Sequence, residues 1–386
     1  MKKIRLGIDA RIFSQAMNGV ARYAIAILKD LPKHEQFEVY LFSDSPLREE
    51  YREYFSNYRL VLFNNRRFKK CWKNWILPFQ LLKYRIDLYH AIWDKGLPLV
   101  SPCPAIMSIH DLYSISEMNR TAGPKKKFYR FINLFLEGLA AKKIFTVSES
   151  TKKEIIEKLH VPPEKITVTY PDCDKKHIEK MAREGPEIKL PANLQPKEYI
   201  VSVAGRLDDV RKNVPFIIMS FSKFLKEVKC RDKCRKLVIV GSYDENSRPF
   251  GDLKSLIDED DLQENVIFTG YLPDPVLYNL VGGARFMVFA SLFEGFGIPL
   301  LEAFFLGVPV ITSNVSSMAE IASSANALLI DPTSEKELAA AMASLWDNPA
   351  LRTELAENGR KRLHDFDWDS AMKKIIAAYD EVLKIT

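Results

Sequence analysis

Apolar residues in this chain gather into short, unbroken runs separated by longer amphipathic stretches. In the first half the runs fall at 4–8, 38–42, 59–63, 86–93, 105–110, 143–147 and 165–170, and in the second at 199–207, 236–241, 265–270, 284–290 and 308–312. Each has the length of a strand, and few alternate with polar residues, which is the pattern of strands covered on both faces in a parallel sheet. Between them apolar residues recur at helical spacing. Residues 19–28 open with Gly19, 125–136 begin the stripe Phe128, Ile132, Leu134 and Phe135 that runs on to Leu139, 151–159 follow a serine cap, and 366–383 close the chain from an Asp-x-Trp start. Strands and helices alternating in this way predict an α/β fold of doubly wound parallel sheets.

At 386 residues the chain exceeds what one core organises, so two domains of near-equal size are expected. The polar stretch 176–197, with Pro186, Pro191 and Pro196, reads as the linker. That places a first domain at 1–175, a second at 198–365 and a closing helix at 366–386. With 47% hydrophobic and 27% charged residues the composition is that of an ordinary globular protein. The start, Lys2-Lys3-Ile-Arg5-Leu-Gly-Ile-Asp9, turns polar too soon for the apolar core of a signal peptide, and no apolar run approaches 18 residues. The expectation is a cytoplasmic protein that at most rests on the inner face of the plasma membrane. Five scattered cysteines, Cys71, Cys103, Cys173, Cys230 and Cys234, suit reduced thiols, and Cys230 and Cys234 lack the further pair that would complete a zinc site.

Charge is unevenly shared. Residues 1–174 hold 29 Lys+Arg against 19 Asp+Glu, a net of +10, while the whole chain is +6, leaving −4 for the remainder. The first half is therefore the one expected to meet something anionic. Its basic residues concentrate at 64–85, where Arg66, Arg67, Lys69, Lys70, Lys73, Lys83 and Arg85 interleave with Phe68, Trp72, Trp75, Ile76, Leu77, Phe79 and Leu81, without one acidic residue. Such a segment fits peripheral contact with a membrane of anionic lipid, a helix packed on the sheet with a solvated basic face, or a platform for single-stranded nucleic acid.

The candidate chemistry centres on 290–314. Between the apolar runs 284–290 and 308–312 the chain reads Glu294-Gly295-Phe296-Gly297-Ile298-Pro299-Leu300-Leu301-Glu302. Gly295 and Gly297 let backbone approach a ligand closely, and Pro299 suits a first helical turn because it needs no donor there. The amides around Gly297, Leu300 and Leu301 are then expected to face an anion such as a diphosphate from a helix N-terminus. A carboxylate beside a phosphate would repel it, so Glu294 and Glu302 make sense there as acceptors for sugar and ribose hydroxyls. Elsewhere, Gly19 opens a helix after the first strand, His90 and the His110-Asp111 pair end strands, and Arg206 and Lys212 lie in the turn after 199–207, able to grip a diphosphate by charge. Tyr271 follows the run 265–270, where a nucleobase would lie.

The block Phe293-Glu294-Gly295-Phe296-Gly297-Ile298-Pro299-Leu300-Leu301-Glu302-Ala303, with its Glu-x7-Glu spacing, together with Gly205-Arg206-Leu207 and Lys212-Asn213, resembles the family 4 (group 1) retaining glycosyltransferases. The passages His110-Asp111-Leu112 and Thr146-Val147-Ser148-Glu149 add to the likeness, which covers nearly the whole chain. The resemblance implies a GT-B fold, two Rossmann-like domains facing across a cleft, with an acceptor-binding first domain, a nucleotide-sugar-binding second domain and a last helix that crosses back to the first. It implies that Glu294 contacts the donor hexose, Glu302 the ribose, His110 the hexose from the first domain, and Arg206 and Lys212 the leaving diphosphate. Gly19 stands for a glycine-rich loop over the donor, and Gly295, Phe296, Gly297, Ile298, Leu300, Leu301 and Tyr271 complete the donor site. The chain departs from the family in keeping one glycine at Asn18-Gly19-Val20, in Asp172-Cys173-Asp174 where an Asn-Gly turn is usual, and in Ser316-Ser317-Met318 before Glu320.

The implied reaction moves a hexosyl group with retention, with no cofactor and no bound metal, by a front-face route in preference to a Glu294 nucleophile. GDP-mannose is the first donor expected, because Asp9-Ala10-Arg11, His110-Asp111-Leu112 and Ser316-Ser317 look like mannosyltransferases of surface-polysaccharide assembly, such as lipopolysaccharide; UDP-linked hexoses and N-acetylhexosamines remain open. The acceptor would be a saccharide or a lipid-linked saccharide, and no nucleic acid is expected. A non-catalytic nucleotide-sugar or nucleic-acid binding protein is the alternative, which would explain the charge but not the paired glutamates. A nicotinamide dehydrogenase would need Gly-x-Gly-x-x-Gly after a first strand, and none occurs.

Overall fold

The computed structural model describes residues 3–116, 122–184, 194–227 and 235–384. The chain forms two compact units, Met1–Pro171 with Asp367–Thr386, and Asp172–Phe366. The first is built on seven parallel strands, β1 (Ile4–Asp9), β2 (Phe37–Ser43), β3 (Arg59–Leu62), β4 (Leu88–Ala91), β5 (Ala105–Ile109), β6 (Lys143–Thr146) and β7 (Ile166–Val168), in the order β3-β2-β1-β4-β5-β6-β7. The second has six, β8 (Tyr199–Arg206), β9 (Lys236–Ser242), β10 (Val266–Gly270), β11 (Phe286–Phe289), β12 (Val310–Ser313) and β13 (Leu328–Ile330), in the order β10-β9-β8-β11-β12-β13. Both orders reverse direction once, between β1 and β4 and between β8 and β11. That is the doubly wound arrangement, in which the crevice for a ligand opens at the carboxyl ends of the two strands flanking the reversal.

The unbroken apolar runs follow from position in the sheet. Every residue of β4, β5, β11 and β12 is buried, because helices cover both faces, whereas edge strand β3 buries only Val61. In the first unit the final helix, Trp368–Lys384, is part of the core. Its Tyr379 hydroxyl meets Nδ1 of fully buried His90 at 2.7 Å, and Ser108 Oγ meets the other ring nitrogen at 2.9 Å. Burial lowers the His90 pKa to about 3, so this histidine is a neutral structural bridge.

One local expectation changes. Part of the stretch read as linker is the helix Lys175–Glu184, which packs on Asp274–Gly283 with His177 Nε2 2.8 Å from Asp274 Oδ2; residues 185–193 of that stretch lie outside the described residues. Cys230 and Cys234 also lie outside them. The helix Pro124–Ala140 buries Leu134, Glu137 and Gly138, while Phe128, Ile132 and Leu139 of its apolar stripe are exposed. No helix among the described residues is long and apolar enough to cross a membrane.

Candidate functional site

In the second unit the loops after β8 and β11 meet at the reversal of strand order. After β8 the chain makes the short turn Val210–Lys212, capped by the Asp209 carboxylate, and Asn213 then takes the left-handed conformation at φ +57°. Asn213 Nδ2 donates to the carbonyls of Ala290 at 3.2 Å and Pro332 at 2.8 Å, and the Leu292 amide donates to the Arg211 carbonyl at 2.8 Å. These bonds stitch the two loops together and bring Lys212 Nζ to 2.6 Å from Glu294 Oε1, with both side chains mostly buried. Ser291 Oγ donates to the same carboxylate oxygen at 2.8 Å, and Lys212 Nζ lies 5.2 Å from the centre of the Phe289 ring. Glu294 is also held through its backbone, whose carbonyl accepts from Ser316 Oγ at 2.7 Å and Ser317 Oγ at 3.0 Å. A charged pair fixed by hydroxyls and a ring is oriented before any ligand arrives.

The helix Ile298–Phe305 begins at Gly297, whose φ of +128° and ψ of 50° are readily adopted only by glycine. Pro299 occupies its first turn as expected. One expectation is corrected: the Leu300 amide does not face outward but donates to the Gly297 carbonyl at 2.9 Å, because the first turn tightens into an i to i+3 bond. The amides of Gly297 and Ile298 are the ones with no acceptor among the described residues. Glu302, nine-tenths buried one turn in, accepts from the Tyr278 hydroxyl at 3.3 Å.

Arg206 stands at the exposed end of β8, next to Gly205 at φ +69°, and its guanidinium forks onto Asp208, Nε to Oδ1 at 2.9 Å and Nη2 to Oδ2 at 2.6 Å. That bidentate bond raises the arginine pKa and lowers that of Asp208. The structure thus brings Lys212 and Glu294 into contact, leaves Arg206 on its own carboxylate, and gives Glu302 a tyrosine partner. Tyr271, in the loop after β10, is exposed. Gly295 and Phe296 lie in the loop between Glu294 and Gly297, where the Phe296 carbonyl accepts from Ser317 Oγ and its ring lies edge-on to Phe366 at 5.7 Å.

In the first unit the crevice at the ends of β1 and β4 holds Asp9, which accepts from Trp93 Nε1 at 2.8 Å and from Arg11 at 2.7 and 3.0 Å. Burial alone would lower the Arg11 pKa, but the Asp9 carboxylate outweighs it and the pKa is raised. His110 follows β5; its Nε2 donates to the Ile92 carbonyl at 2.9 Å, which leaves Nδ1 as the lone-pair nitrogen of the neutral ring, and desolvation lowers the pKa of the ring. Its ring lies edge-on to Tyr23 at 4.9 Å. Gly19 begins the helix Gly19–Asp30, whose cap is Asn18, accepting from the Ala21 amide at 3.0 Å. Ser291, Ser316, Ser317, Tyr278 and Asp208 hold these groups in place, yet loop serines carry no periodic signal by which a sequence would mark them.

Comparison with known proteins finds a separate match in each half of the chain. Residues 17–174 match the Glycosyltransferase Family 4 family and residues 186–362 match Glycosyl transferases group 1. The chain is 28% identical over 242 residues to the O-antigen chain mannosyltransferase B of Escherichia coli, covering 62% of this chain and 61% of that protein. It is 27% identical over 243 residues to the MMP alpha-(1->4)-mannosyltransferase of Mycolicibacterium hassiacum, covering 62% of this chain and 54% of that one. The matched stretch thus spans less than two thirds of either relative. Among solved structures it is similar to HepE of Anabaena, in complex with UDP and glucose, with a TM-score of 0.75 at 17% identity, covering 98% of this chain and 100% of that one.

Proposed function

The chain belongs to the group 1 glycosyltransferases of the GT-B fold, and from that premise we propose that it transfers a hexosyl group, with retention, from a sugar nucleotide to a saccharide or lipid-linked saccharide in surface-polysaccharide assembly. The observation that carries the proposal is the 2.6 Å pair of Lys212 and Glu294 where the strand order of the second unit reverses. It sets a cation for phosphate and a carboxylate for sugar hydroxyls side by side, beside a helix start with two unsatisfied amides. Lys212, Arg206 and the amides of Gly297 and Ile298 take the charge of the leaving diphosphate. Glu294 orients the hexose, Glu302 accepts from the ribose, and Tyr271 lies against the base.

Donor binding divides the existing pairs. Phosphate oxygens replace Asp208 on Arg206 and share Lys212, while Glu294 turns to the hexose hydroxyls, with Ser291 still holding one oxygen. His110 presents Nδ1 as a hydroxyl acceptor on the first unit. GDP-mannose is the donor we favour, because the similar proteins from Escherichia coli and Mycolicibacterium hassiacum are named as mannosyltransferases; the UDP and glucose held by the Anabaena protein make UDP-hexoses the second choice. A lipid-linked acceptor agrees with membrane contact through residues 64–85.

Calorimetry with GDP, UDP and their hexose conjugates tests the donor site. GDP-mannose binding is expected, with affinity falling at least tenfold in Glu302→Ala, as loss of a hydrogen bond to a charged group predicts, on the order of 1.5–3 kcal/mol. Unchanged affinity in that variant removes Glu302 from the site.

A further inference from the structure

Two helical segments of the first unit expose apolar side chains at positions where helices of a doubly wound sheet normally expose charge. In the segment Trp72–Ile76, continued by the helix Leu77–Lys83, Trp72, Leu77 and Leu81 face the core, while Trp75, Phe79 and Leu82, spaced i, i+4, i+7, face out. Trp75 is 77% exposed and Phe79 65%. In the helix Pro124–Ala140, Phe128, Ile132, Leu136 and Leu139 make a second outward stripe at i, i+4, i+8, i+11, with Tyr129 beside it; Phe128 is 67% exposed and Tyr129 71%. A stripe of that period is the face of an amphipathic helix, and here the face opposite to it is already packed.

The two segments are neighbours. Lys73, next to buried Trp72 in the first, is paired with Glu137 of the second, which is fully buried and is the only acidic residue of either segment. Trp72, Leu77, Leu81 and Leu134 also share one core cluster. Apart from Asn74 and apolar groups, what the segments and the residues flanking the first show to solvent is basic: Lys83, Lys125 and Lys126 in the segments and Lys69, Lys70 and Arg85 beside them are all exposed. A polar surface has been emptied of carboxylates and filled with aromatic and aliphatic side chains.

We propose that these two stripes form one docking face for the surface of a bilayer containing anionic lipid, with Trp75, Phe79, Phe128 and Tyr129 inserted at headgroup depth and the lysines and arginine on lipid phosphates. The proposal rests on the membrane contact assigned above to 64–85 and adds to it the second helix, which the basic segment alone does not require. Charge selects this occupant over two others. A second copy of the same face would bring like charges together, and a nucleic acid would leave Leu82, Ile132, Leu136 and Leu139 with nothing to stack on. Apolar burial with added phosphate attraction is what an interfacial helix pair obtains from anionic lipid.

The test is co-sedimentation of the full chain with vesicles of phosphatidylcholine alone and with 30% phosphatidylglycerol, at low and high salt. Binding to the anionic vesicles is expected, weakened by salt and by omission of phosphatidylglycerol. The double variants Trp75→Ser/Phe79→Ser and Phe128→Ser/Tyr129→Ser change only exposed side chains, so each should keep the wild-type thermal transition and each should lower partitioning by about tenfold or more. If the first pair loses binding and the second binds as wild type, the shared face is overturned while contact through 64–85 stands. If the wild-type chain binds no vesicles at low salt, both are overturned; retention of a single-stranded oligonucleotide in place of vesicles overturns the lipid assignment.

Discussion

Lys212 and Glu294 show how far single residues could be read before the fold was seen. Each follows a predicted strand and lies beside a turn, so each could be named a candidate by itself, Lys212 for phosphate and Glu294 for a sugar; their direct contact was not legible, because 82 positions separate them and only the sheet closes that distance. His90 marks the opposite case. A lone histidine at a strand end is more often structural than a site residue, and Tyr379, far along the chain, and Ser108 saturate this one. Its titration is testable. The folded pKa of about 3 lies below the ordinary 6.5, so the unfolded chain takes up a proton that the native state refuses. The stabilisation is complete above pH 6.5 and is lost as pH falls toward 3, by about 1.4 kcal/mol per pH unit. Urea unfolding at pH 7 and pH 5 should therefore show a steeper loss for the wild-type chain than for His90→Gln, in which the carboxylate contributions are shared but this one is missing. Equal slopes would mean that His90 is not held neutral.

Among the elements, the short helix Ile298–Phe305 depends most on one position. Gly297 carries φ +128°, and a Cβ there would also touch Ile321 Cδ1 and Leu300 Cδ1 at 3.4 Å. Gly297→Ala is expected to destabilise the second unit by about 1–3 kcal/mol and to turn the two unsatisfied amides off their line, weakening nucleotide affinity along with stability. Thermal melting with and without GDP measures both, and an unaltered melting temperature would show that the turn relaxes. Gly-x-Pro told where this helix starts; which amide its first turn consumes was not legible, since an i to i+3 bond and an i to i+4 bond place the same residues in sequence. The helix Pro124–Ala140 teaches a related lesson. Its period was legible from Phe128, Ile132 and Leu139, but a period identifies a face without saying whether protein or something else covers it. Lys175–Glu184 was hidden for a third reason: polar, charged residues next to three prolines read as linker, and only its packing on Asp274–Gly283 makes it a helix with a place.

At the scale of the molecule, two doubly wound sheets were expected from the alternation of apolar runs and helices, and two are found. β13, Leu328–Ile330, was not among the runs read as strands. The last helix returns to the first unit, where Tyr379 packs edge-on to Phe37 and beside Phe145, and Lys374 Nζ donates to the Val168 carbonyl at 3.1 Å. Removing residues 367–386 would leave His90 Nδ1 without a partner and uncover those rings. Calorimetry of the truncated chain should lose the cooperative transition of the first unit and keep that of residues 172–366; survival of both would mean that the helix is an accessory to the core. The proposed transfer depends on sugar nucleotide chemistry at the Lys212–Glu294 pair, and release of nucleoside diphosphate from GDP-mannose, followed in the wild-type chain and in Lys212→Ala with a lipid-linked saccharide acceptor, tests it most directly. Release by the wild type and a fall of about 10² or more in turnover for the variant are predicted; equal release by the two chains, or none from any GDP- or UDP-linked hexose, would contradict it.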